Sequence, residues 1–231
     1  MIEIFQIYYQ DSQQQNLVGG FIPYFNKKKS IFVENQCMYD IRHNNLSENA
    51  SHAGVFSYKF HDKILSRPTF ESISTCISSN SDVDIFSPNI KTLWWKPIRT
   101  PRPLYFPNQA NMKKIIIPFL SDLADLNIIK HSSIDLWTKV CENPIYCNFW
   151  VAKKSIFIDY VDNFLDKVFK LIEKYDQHNP IFNTDTTYPR EPPLEWQDQT
   201  GFKRYPIITF TLERLINIYV GDRELNQQAI L

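Results

Sequence analysis

The sequence lacks the glycine-rich motifs that hold phosphate groups in many nucleotide-binding proteins. Only 5 of its 231 residues are glycine, and neither GxxxxGKS/T nor GxGxxG occurs. These absences argue against a phosphotransferase of the common kinds. The chain also has no net charge, with 25 basic and 25 acidic residues, so no overall field draws it to nucleic acid or to an anionic membrane. Any charged ligand must be held by local groups.

Metal-binding spacings of cysteine and histidine are missing as well. The four cysteines, Cys37, Cys76, Cys141 and Cys147, are scattered and form no CxxC pair, and the five histidines show neither HxxxH nor HxH spacing. A zinc site is therefore not expected. We expect the cysteines to be reduced and mostly buried thiols.

No apolar run approaches the roughly 18 residues that span a bilayer. The first ten residues, MIEIFQIYYQ, lack the basic start and small-residue cleavage site of a signal peptide. We therefore expect a cytoplasmic protein without a transmembrane segment.

Apolar and aromatic residues are plentiful, at 43% and 15% of the chain. A chain of this length and composition has enough apolar material to fold around one continuous core. The prediction is a single domain over residues 1–231.

The first half of the chain alternates strand and helix patterns. Strands are predicted at Glu3–Tyr9, Gly54–Phe60 and Val83–Ser87, from short apolar runs rich in aromatic and β-branched residues. Between the last two, Pro68–Ser79 carries a helical stripe of apolar residues. This order favours a parallel strand–helix–strand unit, and with it an α/β fold whose mostly parallel central sheet is flanked by helices.

The second half continues the alternation. Helices are predicted at Pro118–Asn127 and Ser133–Glu142, followed by a strand at Tyr146–Ala152. A long amphipathic helix is predicted to begin with Ser155 as its N-cap. The last helix, Ile207–Val220, is apolar on nearly every face, which is typical of a buried helix.

Two long loops are predicted, over about residues 88–110 and 176–203. The first contains five prolines from Pro88 to Pro107, which excludes an ordinary helix or central strand. Its aromatic and basic segment, Trp94–Arg102, suits a loop that closes over a sugar or nucleotide, or one that stacks on single-stranded nucleic acid. Loops of this length in a compact domain are usually functional or disordered.

Glu213 and Arg214 lie inside the apolar last helix, where a charge is costly unless it is paired or functional. Adjacent helical residues are about 100° apart, so the two cannot simply face each other. They either belong to a buried ion-pair network or line a functional site.

Other candidate binding residues lie near strand ends. Asp82 and Asp84 form a D-x-D pair whose carboxylates share one side of an extended chain. They either hold Mg²⁺ or Mn²⁺ against a diphosphate or are two solvated loop acids. Lys59 ends a predicted central strand and Arg42 lies just upstream, so either is a surface residue or is placed to meet a phosphate.

Four blocks of sequence carry a family resemblance. They are VENQCMYDIRHN with AGVFSYKF, then DVDIFSP, then PIYCNFWVAKKSIFIDYVDNFL, and finally RYPIITFTLERLINIYV. Together they cover a little under half of the chain. In this order they resemble the small bacterial glycosyltransferases that build capsular and lipopolysaccharide glycans, enzymes with the GT-A type of nucleotide-sugar-binding fold.

The resemblance implies transfer of a sugar from a nucleotide-sugar donor to a glycan or lipid-linked glycan acceptor in bacterial surface polysaccharide synthesis. No nucleic-acid partner is expected, because the chain has no net positive charge. Peripheral contact with the inner face of the membrane is expected to be compatible with this activity. Tyr8 and Tyr9, with Asp82 and Asp84, would lie near the nucleotide. The sugar and acceptor side would be lined by Asn148, Glu213 and Arg214.

Such a reaction needs a carboxylate that takes the proton of the acceptor hydroxyl. Glu213 is the first candidate, because an apolar helix favours the protonated form of a carboxyl and so suits it to proton transfer. Asp84 is the second candidate. Cations or a bound Mn²⁺ or Mg²⁺ would stabilise the leaving diphosphate.

Two alternatives come from other classes of protein. One is a non-enzymatic recognition module that uses the Trp- and Pro-rich loops to bind a partner or a glycan. The other is a single-strand nucleic-acid binder, which the neutral net charge disfavours.

Overall fold

Strands and helices alternate along the chain and build a sheet with helices against both faces. The computed structural model describes residues 1–64, 68–88, 102–103, 110–141, 144–183 and 191–230. Its strands are β1 (Ile2–Tyr8), β2 (Ile22–Phe25), β3 (His52–Ser57), β4 (Ile85–Pro88), β5 (Arg102–Pro103), β6 (Val140–Cys141), β7 (Trp150–Lys153) and β8 (Gln227–Ile230). Its α-helices are α1 (Glu34–His43), α2 (Phe60–Lys63), α3 (Phe70–Ser78), α4 (Ala110–Asp125), α5 (Lys154–Asp159), α6 (Asp166–Glu173), α7 (Pro180–Asn183), α8 (Leu194–Thr200) and α9 (Ile207–Asp222).

The main sheet has six strands in the spatial order β2-β1-β3-β7-β4-β8. β1 pairs in parallel with β2 and β3, and β4 pairs in parallel with β8. β7 runs antiparallel to both of its neighbours, β3 and β4. All strands of this sheet except β7 therefore point the same way, which confirms the predicted α/β fold with a mostly parallel sheet.

The predicted strand–helix–strand unit is present with one difference. α3 lies between β3 and β4 in sequence, and its first turn is capped by Thr69, whose Oγ1 accepts a hydrogen bond from Ser72 N at 3.2 Å. β3 and β4 point the same way, as predicted. They are not neighbours, however, because β7 is inserted between them.

The two faces of the sheet bury different side chains, because successive residues of a strand point to opposite sides. Phe5, Ile7 and Val55 pack into a large core with residues of α1, α4, α5, α6 and α9. Ile4 and Phe56 pack into a smaller core with residues of α2 and α3. The central strands are thus buried on both faces, as their apolar sequences predict.

α9 is buried along most of its length, which confirms the prediction for Ile207–Val220. Its apolar side chains belong to the large core, where they contact residues from the sheet and from the other helices. Among the described residues, no helix combines the length and the apolar character that crossing a bilayer requires.

The predicted amphipathic helix is a continuous helical run from Lys154 to Glu173 that contains one π-helical stretch, Tyr160–Leu165. Its predicted cap is wrong, because the helix begins at Lys154 and no side chain caps it. β7 leads directly into the helix, and the backbone N–H of Lys154 donates instead to the carbonyl of Ser51 at 2.8 Å. The carbonyl of Ser51 thus satisfies a backbone N–H at the start of the helix, which a serine side chain was expected to do.

Two other predictions need correction. The helix predicted at Pro118–Asn127 is the second half of the longer α4, which ends at Asp125. The helix predicted at Ser133–Glu142 is instead a 3₁₀ helix at His131–Trp137 followed by the short strand β6. The loop predicted over 176–203 contains α7 and α8. The loop predicted over 88–110, with its segment 94–102, lies largely outside the described residues, and its described pair 102–103 is β5, antiparallel to β6.

β3 and β7 approach each other closely at Gly54, which lies opposite Val151. A Cβ atom built on Gly54 would lie 2.1 Å from the carbonyl oxygen of Trp150 and 2.7 Å from Cα of Val151. Both are backbone atoms of β7, so the clash cannot be relieved by rotating a side chain. The pairing of β3 with β7 therefore requires glycine at this position.

We predict that Gly54→Ala lowers the free energy of unfolding by about 1–3 kcal/mol, the usual cost of an overpacked core. Gly19→Ala is the matched control, because nothing lies within 4 Å of the added atom there. Urea unfolding of both variants checks the prediction. Equal stability of the two variants would contradict the proposed close contact between β3 and β7.

Candidate active site

Three segments of the chain meet where β1 and β3 end. Because β7 is antiparallel to β3, β7 begins beside the end of β3. Val55 lies opposite Trp150 at this end of the pair, and His52 lies opposite Lys153 at the other end. The residues after β1 and β3 and those before β7 therefore share one edge, here called the carboxyl edge. Ligands of open α/β sheets bind outside such an edge. The opposite edge, at the starts of β1 and β3, is the amino edge.

Tyr9 and Glu34 form a hydrogen-bonded pair at the carboxyl edge. Tyr9 follows β1, and its backbone N–H donates to Gln13 Oε1 at 2.7 Å. Its hydroxyl donates to Glu34 Oε1 at 2.8 Å. Glu34 is the first residue of α1, so the chain returns to this edge before the helix begins.

The loop that leads into α1 is fixed by side chains from distant parts of the chain. Trp196 Nε1, from α8, donates to the carbonyl of Ser30 at 3.2 Å. Thr209 Oγ1, from α9, donates to the carbonyl of Ile31 at 2.9 Å. These contacts, at long sequence separation, hold the position at which Glu34 starts α1.

Lys63 brings a positive charge to the same place. It ends α2, the single helical turn that follows β3, and its Nζ donates to Cys147 Sγ at 3.4 Å. The ammonium also lies 5.5 Å from the centre of the Phe149 ring, within reach of a cation–π interaction. Lys59, predicted as a phosphate ligand, precedes α2 at this edge, with its Nζ 5.3 Å from the centre of the Tyr58 ring.

The turn before β7 has an unusual backbone. Cys147 and Asn148 have φ values of 60° and 54°, in the left-handed region that residues with a side chain rarely occupy. α9 holds this turn with two side chains spaced by four residues. Glu213 Oε1 accepts from the backbone N–H of Cys147 at 2.8 Å, and Asn217 Oδ1 accepts from that of Ile145 at 2.7 Å.

Tyr9, Glu34, Lys63, Cys147 and Glu213 are here called the edge cluster. All five residues are half-buried. A ligand can therefore reach their side chains, although these are largely removed from water. Ionisable groups gathered in this way are typical of functional sites.

The charges within the edge cluster influence one another. Burial raises the pKa of Glu34, and so does the nearby Glu213, while Lys63 and the hydrogen bond from Tyr9 act in the opposite direction. Burial alone would lower the pKa of Lys63, but Cys147, Glu213 and Glu34 hold it above its ordinary value. Lys63 therefore stays an ammonium ion at neutral pH.

The Cys147 thiol and the Tyr9 hydroxyl stay protonated. Burial, and then the charge of Glu213, raise the pKa of Cys147 to about 12. Burial and the neighbouring Glu34 raise the pKa of Tyr9 well above its ordinary value. Cys147 is consequently not a thiolate nucleophile at neutral pH, and Tyr9 acts as a hydrogen-bond donor.

Asn148 adjoins the cluster and has an unusual environment. Asn148 is 0% exposed, and neither its Oδ1 nor its Nδ2 has a hydrogen-bond partner among the described residues. An unpaired buried amide is costly and rare in folded proteins. The predicted role of Asn148 on the sugar side stays a prediction, and its position next to Cys147 agrees with it.

Asp82 and Asp84 lie at the other edge of the sheet. They precede β4, which points the same way as β3, so they lie at the amino edge. Asp84 Oδ1 accepts from Lys153 Nζ at 2.9 Å, and its Oδ2 accepts from the backbone N–H of Asn226 at 3.1 Å. The structure therefore does not bring Asp82 and Asp84 to the edge at which Tyr8, Tyr9 and Glu213 lie.

The surroundings of Asp84 do not fit a metal ligand. Both of its carboxylate oxygens accept hydrogen bonds, one from the Lys153 ammonium and one from the Asn226 N–H. Burial would raise the pKa of Asp84, but Lys153 and, to a smaller extent, the Asn226 N–H hold it below its ordinary value. Asp82 is exposed. Within the described ranges, no group of three His, Cys, Asp or Glu side chains is arranged to hold a metal ion.

The remaining predicted residues are divided between the edges. Tyr8 ends β1 at the carboxyl edge, where its ring lies 5.1 Å from that of Phe25. Arg42 is about 12 Å along α1 from Glu34 at the usual rise of a helix. Its Nε and Nη2 both donate to Asp162 Oδ2, at 3.0 and 2.7 Å, so Arg42 ties α1 to the π-helical stretch and does not face the edge cluster.

Arg214 is buried within α9, and its Nη1 donates to the carbonyl of Phe210 at 2.9 Å. This bond lies within the same helix. The predicted role of Arg214 on the acceptor side stays a prediction.

Sequence reasoning missed three members of the edge cluster, Glu34, Lys63 and Cys147. Glu34 and Lys63 lie at helix ends, where charged residues are common for local reasons. Glu34 and Cys147 do fall within the sequence blocks that carry the family resemblance. Their place within these blocks could have identified Glu34 and Cys147 as candidates. For Lys63 the sequence offered only its position after a predicted strand.

The chain matches no family model and no curated protein. It is similar to one solved structure, the apo form of WbbM, a bifunctional glycosyltransferase, at 15% identity and a TM-score of 0.56. The alignment covers 99% of this chain and 44% of that one, so the chain spans less than half of its length. At this identity the likeness shows the fold, and this chain has a glycosyltransferase-like α/β fold.

We predict that Asn217→Ala lowers the free energy of unfolding by about 1–3 kcal/mol, because it leaves the buried N–H of Ile145 without its acceptor. The carbonyl of Ile145 also loses a donor, since Asn217 Nδ2 lies 2.8 Å from it. Asn163→Ala is the control, an exposed helical asparagine that bonds only Asp159 Oδ1 among the described groups. Urea unfolding measures both, and an unchanged Asn217→Ala would contradict the anchoring of this turn by α9.

Proposed function

We propose that this chain is a glycosyltransferase that moves a sugar from a nucleotide-sugar donor to an acceptor hydroxyl at the carboxyl edge. The observation that carries the proposal is the edge cluster, in which the Lys63 ammonium lies among two carboxylates in a glycosyltransferase-like fold. Sugar transfer needs both kinds of group. A cation stabilises the departing diphosphate, and a carboxylate accepts the proton of the acceptor.

Lys63 is suited to the first task. Cys147, Glu213 and Glu34 together raise its pKa and keep it protonated, and its ammonium is fixed between Cys147 Sγ and the Phe149 ring. A fixed cation in a poorly solvated recess stabilises developing negative charge more than a mobile surface lysine does. Lys59, Tyr8 and Tyr9 lie at the same edge and are proposed to contact the nucleotide.

We further propose that Asn148, Glu213 and Arg214 line the sugar and acceptor side. The donor would be a UDP-, GDP- or CMP-sugar, and the acceptor a glycan or lipid-linked glycan of the bacterial surface. A GT-A type of donor site and peripheral contact with the membrane belong to the same proposal. It is supported by the sequence resemblance and by the fold.

Metal use is a separate question. Asp82 and Asp84 do not fit a metal site, because both oxygens of Asp84 are already engaged. No step is therefore assigned to Mn²⁺ or Mg²⁺. Measuring donor hydrolysis with and without Mn²⁺ tests whether the reaction nevertheless needs one.

We predict that one nucleotide sugar from a panel of UDP-, GDP- and CMP-sugars binds in isothermal titration and is hydrolysed. Lys63→Met should weaken that binding roughly 10–100-fold, as expected for the loss of a charged hydrogen-bonding group. Lys170→Met is the matched control, since among the described residues Lys170 forms an exposed ion pair with Asp166 within α6 and lies away from the edge cluster.

Absence of binding to every donor would contradict the proposed function and favour the recognition module. Equal affinities of Lys63→Met and Lys170→Met would contradict the proposed position of the diphosphate.

A further inference from the structure

The two carboxylates of the edge cluster are held in different ways. Glu213 Oε1 accepts a backbone N–H, that of Cys147, and so stabilises a turn whose φ values are unfavourable. Glu34 Oε1 accepts a side-chain hydroxyl, that of Tyr9. Losing the acceptor oxygen of Glu213 would therefore disturb the shape of the site, whereas Glu34 bonds a side-chain hydroxyl and not a distant part of the backbone.

Glu34 also has an oxygen that can take a proton. Tyr9 bonds its Oε1, and the backbone N–H of Glu34 itself also interacts with the carboxyl group. The side chain is half-buried, so an acceptor molecule can reach it. A hydrogen bond to one carboxylate oxygen orients the group while the other oxygen stays available for proton transfer.

We propose that Glu34 is the base that takes the proton of the acceptor hydroxyl, that Tyr9 orients it, and that Glu213 is a positioning residue for the Cys147–Asn148 turn. The inference rests on the proposed sugar transfer and divides the roles of the two carboxylates within it. In the transfer step the acceptor oxygen bonds to the anomeric carbon, and its proton passes to Glu34. The bond from that carbon to the phosphate oxygen of the nucleotide breaks, and the nucleotide leaves with the electron pair.

The groups that face Glu34 determine the pH at which it can act. Tyr9 at the end of β1 and Lys63 on α2 favour its ionised form. Burial and Glu213 on α9 favour its protonated form. Cys37 within α1 and Cys147 before β7 also couple to Glu34, and both are neutral thiols at ordinary pH because burial raises their pKa values.

The test is the pH dependence of donor hydrolysis, with water as the acceptor and the nucleotide sugar that the panel selects. A base must be ionised, so the rate of the unchanged protein should fall as the pH drops through the pKa of Glu34. This loss of rate at low pH, here called the acid fall, should occur at a pH above the ordinary pKa of a glutamate. Glu34→Gln keeps an oxygen that can accept from Tyr9 but cannot take a proton. It should lower the rate by roughly 10²–10⁴-fold and remove the acid fall, while donor binding persists.

Two further variants should move the acid fall in opposite directions. Tyr9→Phe removes a hydrogen bond to the ionised form, so the fall should shift to higher pH. Glu213→Gln removes a like charge and keeps an oxygen for the Cys147 N–H, so the fall should shift to lower pH. A purely structural role for either residue would not shift the pH dependence in these directions.

The outcomes separate the two proposals. If the unchanged protein hydrolyses no donor, sugar transfer itself is wrong, and the role of Glu34 in it fails too. If hydrolysis occurs but Glu213→Gln removes the acid fall and Glu34→Gln only shifts it, Glu213 is the base and the assignment to Glu34 is overturned. Full activity of Glu34→Gln across the pH range would overturn it as well.

Discussion

The direction of β7 is the constraint on which the candidate site depends. β7 runs against β3 and β4, so the residues before it lie where β1 and β3 end. The close pairing is possible because Gly54 has no side chain to meet the backbone of β7. The Cys147–Asn148 turn is thereby brought beside Tyr9 and Lys63. The same geometry carries Lys153 to the amino edge, where it pairs with Asp84.

The edge cluster places ionisable side chains at this end of the sheet. Cys147 and two glutamates from α1 and α9 raise the pKa of Lys63 and keep it charged. These helices are far apart in sequence and meet only in the folded chain. Desolvation strengthens the interaction between such charges, because less water screens them. A site of this kind can hold a diphosphate and move a proton without rearranging its own groups. The fold around this site is similar to that of a glycosyltransferase.

Local patterns predicted β1, β3, α3 and α9, because apolar periodicity depends on neighbours within a few residues. Strand order depends on pairing between distant segments, so the insertion of β7 and the separation of Asp84 from Glu213 could not be read from the sequence. Glu213 was found because a charge in an apolar helix is conspicuous. Glu34 and Lys63 lie at helix ends among polar neighbours, and their burial arises only when α1, α2 and α9 come together.

The position of the diphosphate in a crystal structure of the chain with its nucleotide sugar tests the central claim most directly. The account predicts that a phosphate oxygen lies within ion-pairing distance of Lys63 Nζ at the carboxyl edge, beside Glu34 and the Cys147–Asn148 turn. A diphosphate bound at the amino edge, next to Asp82 and Asp84, would contradict it.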